Sequence, residues 1–171
     1  RRRKLGDRAF ILSQLASNLE AACPKARRHR VKGRFCRFYL KTQNFTYIGL
    51  TLDLTVPLAD PREFLRAIEA QFDDIYDPSE TYRATGIGLY ALTRDDSVTP
   101  DLFGESVRVE REASLIGAID RMNHKYGRHT IFLGESFNAV TDSESRRKVK
   151  LALPIHQRKK TISVPHLGTA H

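Results

Sequence analysis

The segment "FTYIGLTLDLTV", residues 45–56, restricts the fold more than any other part of the chain. Ile48, Leu50, Leu52, Leu54 and Val56 alternate with Tyr47, Gly49, Thr51, Asp53 and Thr55. A two-residue period sends successive side chains to opposite faces of a strand. One face is therefore apolar and the other is not, as in an antiparallel sheet covered on one side only. The preceding run "RVKGRFCRFYLKT" is rich in β-branched and aromatic residues, and "QN" between the two is a turn signal. The pair reads as a hairpin. On its first strand Phe38 and Leu40 point one way, and Arg37, Tyr39 and Lys41 the other.

Helices flank the hairpin. "DRAFILSQLASNLEAA" places Ile11, Leu12, Leu15, Leu19 and Ala22 at helical spacing, with Asp7 as the N-cap and Pro24 as the expected stop. "ADPREFLRAIEAQF" carries a cap at Asp60, Pro61 at the first helical position and Glu63 in a capping-box arrangement. Its buried stripe is Phe64, Leu65, Ile68 and Phe72. "DDIYDPSE" reads as a loop, and "TYRATGIGLYAL" as a third strand in which Gly86 and Gly88 mark a close approach or a bulge. The order helix, strand, strand, helix, strand is a split β-α-β-β-α-β unit whose first strand is short or missing. The basic start "RRRKLGDR" stands where that strand is expected, so the strand is very short or the chain is cut from a longer one. The expected fold class is α+β, an antiparallel sheet with two helices on one face, followed by a C-terminal helix and an extended tail.

That third helix lies within "EREASLIGAIDRMNHKYG", with Leu115, Ile119, Met122 and Tyr126 on its buried face and Gly127 as its stop. "HTIFLG" reads as a short strand, and from Asn138 the chain reads as a polar, basic tail. The boundaries drawn are 1–95 for the sheet domain, 96–137 for a connector with helix and strand, and 138–171 for the tail.

Charge is segregated. Residues 1–41 carry 13 Lys and Arg against 2 Asp and Glu, residues 42–120 carry 6 against 15, and residues 121–171 carry 10 against 3. The net +9 is thus concentrated at the two ends, which favours polyanion-binding patches. Two cations flanking Tyr39 on an open sheet face suit a phosphate backbone. The candidate contacts are Lys32, Arg34, Arg37, Tyr39, Lys41 and Arg83, with Tyr39 packed between cations.

Catalytic signatures are missing. The sequence holds no P-loop and no Gly-rich dinucleotide turn. Ser13, Ser114 and Ser136 lack a nucleophile elbow. The six histidines are scattered, and His29 and His129 sit among arginines as surface residues. Asp73, Asp74, Asp77, Asp95 and Asp96 fall in expected loops, so a hydrolase metal site there is a poor fit. No catalytic residue, metal ligand or cofactor is expected in this chain. Cys23 and Cys36 are too few for a disulfide scaffold, which suits a reducing cytoplasm. No apolar run approaches the roughly 20 residues that span a bilayer, so no membrane partner is expected.

Together "ILSQLASNLEAA", "RFYLKTQNF", "TLDLTVPLADP" and "YRATGIGLYAL" resemble, in order and spacing, the little finger domain of a bacterial Y-family translesion DNA polymerase of the polymerase IV and V type. "TPDLFG" and "LIGAIDRMNHKYGRHTIFLG" are similar to the segment that follows it. The resemblance implies a DNA-binding domain whose sheet lies in the major groove and holds template-primer duplex by its backbone, beside a catalytic core. It implies a cytoplasmic, nucleoid-associated DNA polymerase as the parent protein. Its palm, with the Mg²⁺-binding carboxylates, is not in this chain. Thr99, Pro100, Asp101, Leu102 and Phe103 are similar to the motif with which bacterial polymerases dock to the sliding clamp. Here Thr99 replaces the usual glutamine, while Leu102 and Phe103 keep the apolar anchors. The alternative from another class is a stand-alone ferredoxin-like RNA-binding module stacking bases on Tyr39 and Tyr47, although the RNP-type signature is absent.

Overall fold

The computed structural model describes residues 7–94 and 105–143. Described residues up to Val140 belong to one compact unit, and a second begins at Thr141. Asp7 caps helix α1 (Arg8–Arg28), its carboxylate accepting from the Ala9 amide. Strands β1 (Val31–Thr42) and β2 (Tyr47–Leu58) follow, then α2 (Pro61–Gln71), a 3-10 turn (Phe72–Asp74) and β3 (Tyr82–Arg94). Helix α3 (Glu105–Tyr126), a 3-10 turn (Gly134–Ser136) and a helical stretch over 137–143 complete the described part. The three strands form one antiparallel sheet in the order β2-β1-β3. The fold is α+β, as the alternation in β2 requires.

β1 is the central strand. Cys36, Phe38 and Leu40 are fully buried on the face covered by α1 and α2. Leu15 and Leu19 of α1, and Phe64 and Ile68 of α2, meet them together with Phe72 and Tyr82. Asp60 caps α2 through the Arg62 amide. Burial opposes ionisation of Asp60, but hydrogen bonds from the Arg62 side chain and backbone, with the charges of Arg62 and Arg27, outweigh it and hold the carboxyl below its ordinary range. Glu63 pairs with Arg66 one turn on. The Tyr82 ring is buried while its hydroxyl accepts from the Asp77 amide, anchoring the loop before β3.

Five expectations fail for identifiable reasons. Pro24 does not stop α1, which continues to Arg28. Proline inside a helix costs about 3 kcal/mol. The last turn offsets this by burying Cys23 and Ala26 and by anchoring Arg27, which donates to both Asp120 carboxylate oxygens at 2.7 Å and to the Ala59 carbonyl. Val56 is 61% exposed rather than core. The register moves from Phe35↔Asp53 to Gly33↔Leu58, so β2 bulges there and loses its alternation.

Leu115, Met122 and Tyr126 on α3 are exposed; of the expected face only Ile119 is half-buried, along with Ile116, Gly117, Ala118, Asp120 and Asn123. Gly127 does end the helix, at φ +107°. "HTIFLG" is not a strand. The Asn123 amide group takes its place as partner, donating to the Ile131 carbonyl at 2.8 Å and accepting from the Ile131 amide at 2.9 Å. The Leu133 amide donates to Glu20 on α1. The expected tail from Asn138 begins as helix. Ala139 and Val140 are buried, and the Ala139 amide donates to Ser13 Oγ at 2.8 Å.

Cys23 and Cys36 are both free and fully buried, and burial pushes each thiol up to about 12. Only the thiolate reacts with a disulfide reagent. Native protein at pH 8 is therefore expected to titrate with 5,5′-dithiobis(2-nitrobenzoate) at neither site, and at both in denaturant. Rapid labelling of either thiol in the native state would show that the core opens readily.

Candidate nucleic-acid interface

With α1 and α2 on one face of the sheet, the other is left to Arg37, Tyr39 and Lys41 from β1, and to their cross-strand neighbours. In register these are Thr51, Gly49 and Tyr47 on β2 and Gly88, Gly86 and Ala84 on β3. The face is paved unevenly. Glycines on the flanking strands leave room in which aromatic rings lie down. A Cβ on Gly86 would sit 2.3 Å from the Tyr39 ring, and one on Gly88 2.8 Å from the Tyr90 ring. The two glycines expected to mark a close approach therefore do so.

Tyr39 packs against Gly86 on one side and Tyr47 on the other, with the tyrosine centroids 5.4 Å apart and the rings tilted by 57°. It is not held between cations, as expected from the sequence. That place belongs to Phe45. Phe45 sits at φ +69° in the β1–β2 turn, where its amide donates to the Thr42 carbonyl. A bulky residue in the left-handed region is strained. Here the strain presents a ring that is 61% exposed. The Arg83 guanidinium lies 4.1 Å from its centroid and the Lys41 ammonium 5.0 Å. Lys41 also lies 4.4 Å from the Tyr47 centroid and donates to its hydroxyl at 2.6 Å.

Arg83 reaches this cluster because the β1–β3 register shifts at its position. Lys41 faces Ala84 and Thr42 faces Tyr82, so Arg83 is the extra residue of a bulge. Lys41, Arg83, Phe45 and Tyr47 thus form one cation-aromatic cluster at the hairpin end. Arg37 is exposed two residues before Tyr39 on the same strand, about 14 Å from Lys41 along it at roughly 3.4 Å per residue.

The remaining candidates lie elsewhere. Arg34 sits beside the β2 bulge, ion-paired to Asp53 at 3.0 Å, with its guanidinium 5.6 Å from the Phe35 centroid. Lys32 is half-buried near the far end of β1. Thr99, Pro100, Asp101, Leu102 and Phe103 lie outside the described residues. Phe45 is not among the residues that the sequence pattern singles out. Its signal, a large aromatic directly after the "QN" turn pair, reads equally as the first residue of the strand that follows.

Among the described residues, Asp73, Asp77 and Ser136 are engaged by local partners. Asp73 is paired to Arg8 at 2.8 Å, and the hydrogen bond from Arg8 holds its carboxyl below the ordinary range. Asp77 accepts from the Ser79 hydroxyl and amide, which lowers it similarly. Ser136 is buried and donates to the Leu133 carbonyl. Among the described residues no three metal-ligating side chains gather, and no helix is long and apolar enough to cross a membrane.

The fold and this face define an α+β domain with a cationic, aromatic surface on the uncovered side of its sheet. The model of the impB/mucB/samB family C-terminal domain matches residues 2–102, more than half of the chain, and the chain belongs to that family. It carries the C-terminal domain of impB/mucB/samB-type DNA polymerases, within the Y-family and the context of DNA damage repair. No curated protein and no solved structure matches the chain.

The two kinds of glycine contact make a contrast that stability measurements can read. At Gly86 an added Cβ meets the far end of a tyrosine that can swing away. At Gly49 it meets the Phe38 carbonyl oxygen at 2.5 Å, which is backbone in the central strand. In urea denaturation Gly49→Ala is expected to cost about 2 kcal/mol or more, and Gly86→Ala less than about 1 kcal/mol. Equal costs would mean that Tyr39 is as fixed as the backbone.

Proposed function

We propose that the uncovered sheet face holds the sugar-phosphate backbone of template-primer duplex beside the catalytic core of a translesion DNA polymerase. The observation that carries this reading is the convergence of Lys41 and Arg83 on the exposed Phe45 ring. Each cation offers charge-assisted donors to a phosphate, and the ring holds the pair without neutralising it. Arg37 extends the cationic track along β1. Such contacts position a duplex without reading bases, which suits an enzyme that must traverse every sequence. Phosphoryl transfer and its Mg²⁺ ions belong in this reading to a palm domain, and the setting is the cytoplasmic nucleoid.

The stand-alone RNA-binding alternative is weaker. Stacking needs free ring faces; Tyr39 is taken up by Gly86 and Tyr47, and Tyr47, though exposed, carries the Lys41 ammonium 4.4 Å from its ring centroid.

Arg37, Lys41 and Arg83 are expected to contribute to duplex affinity equally on all sequences. Replacing any one by alanine should flatten the slope of log affinity against log salt by about 1. The measurement is fluorescence anisotropy with primer-template duplexes of differing sequence over 50–300 mM salt, roughly the range in which such slopes are read. An unchanged slope in the triple variant would move the DNA to another surface.

Docking to the sliding clamp through Leu102 and Phe103 is the second part of the proposal. Support comes from the likeness of "TPDLF" to the clamp-docking motif, with Asp95, Asp96 and Glu105 nearby to keep the connector polar. A short linear motif of this kind gives roughly micromolar affinity, near −8 kcal/mol. Leu102→Ala with Phe103→Ala should abolish clamp binding in surface plasmon resonance while leaving DNA affinity and Tm unchanged. Thr99→Gln should tighten it. A large loss of folding stability in the double variant would make the pair core instead.

A further inference from the structure

A cleft of about 830 Å³ lies on the other side of the molecule from the cation-aromatic face, between the C-terminal half of α1, the start of α2, α3 and the segment 127–133. Its apolar lining includes Pro24, Ile116, Ile119, Phe132 and Leu133. Leu115 and Ile131, at its mouth, are 54% and 39% exposed. Helix α3 is tied to α1 by Arg27–Asp120, so this side of α3 spans the cleft rather than filling it.

Cations dominate the rim. Arg27 and Arg62 are engaged by Asp120 and Asp60. Lys25, Arg28 and Arg121 also line the cleft and, among the described residues, form no ion pair. Arg128 adds a fourth cation, whose charge acts on Glu20, an acidic residue that also lines the cleft. An apolar floor between cations that outnumber the acids of the lining is complementary to a ligand that is apolar along its middle and acidic at its sides.

We infer that this cleft is a docking site for an acidic amphipathic helix of a partner protein. Length agrees, since Leu115 to Gly127 spans roughly 18 Å, three turns of a bound helix. Duplex DNA fits poorly, because it offers phosphates for the rim and nothing aliphatic for the floor. The site is independent of the DNA-binding reading, sharing no residue with it.

The test uses the full 171-residue chain and a fluorescein-labelled synthetic helix with leucines at i, i+3 and i+7 flanked by glutamates. Saturable micromolar binding by anisotropy is expected. Exchanging the peptide's glutamates for lysines, or its leucines for serines, should each weaken binding at least tenfold. On the protein, Lys25→Glu with Arg121→Glu, two exposed positions, should do the same, as should Ile119→Asp, with native thiol protection confirming the fold of each. Absence of saturable binding, equal binding of the lysine or serine peptide, or indifference to both protein variants would overturn the inference. So would displacement of the peptide by duplex DNA or by vesicles containing phosphatidylglycerol, which would reassign the cleft to nucleic acid or to a lipid surface.

Discussion

The central position of β1 governs the whole molecule. Paired on both edges, it can send side chains only up or down, and its two faces have opposite chemistry. Cys36, Phe38 and Leu40 go down into a layer made by α1 and α2, all three with no exposed surface. Burial of such side chains stabilises each by roughly 1.5–3 kcal/mol, so the face they choose is not negotiable. Arg37, Tyr39 and Lys41 must then face away from the helices. The open surface is thus a necessary companion of the core, and a register slip by one residue would destroy both together.

What the open face becomes depends on its neighbours. Glycines at 86 and 88 leave no side chain under the Tyr39 and Tyr90 rings, so these tyrosines lie against the sheet instead of standing up from it. A bulge in β3 frees Arg83, and a left-handed turn lifts Phe45. The outcome concentrates charge at the hairpin end, where Lys41 and Arg83 share a ring that cannot neutralise them. By contrast Arg34, at the other bulge, meets Asp53 and is largely neutralised. Two irregularities of the same sheet therefore have opposite electrostatic results.

The C-terminal half is organised by polar straps instead of by core. Arg27 to Asp120, Glu20 to Leu133 and Ser13 to Ala139 each join a side chain to a backbone or a charge across a long sequence separation, and Asn123 to Ile131 closes the turn after α3 locally. Burial raises the Glu20 carboxyl above its ordinary range, although the Leu133 amide and the Ser136 hydroxyl work against the shift. Straps of this kind hold α3 at a distance that leaves apolar residues of α3 lining a cleft, whereas packing by aliphatic contact would have closed it.

The sequence by itself determined the sheet, the helices that cover it and the outward-facing residues of β1. A two-residue period in β2, helical spacing in α1 and α2, and the caps Asp7 and Asp60 are local signals, and local sterics and hydrogen bonding are enough to obey them. The family likeness was legible in the same strings. Only the tertiary structure decided that Pro24 would be carried inside α1, because the compensating contacts of Cys23, Ala26 and Arg27 come from strands and helices distant in sequence. The same holds for Val56, displaced by a bulge that no alternation can announce, and for Phe45, whose role depends on Arg83 arriving from another strand. Helix α3 shows the limit most plainly. Its apolar residues specify a helix, but which of its faces is covered depends on a few long-range polar bonds, and these have no period to read.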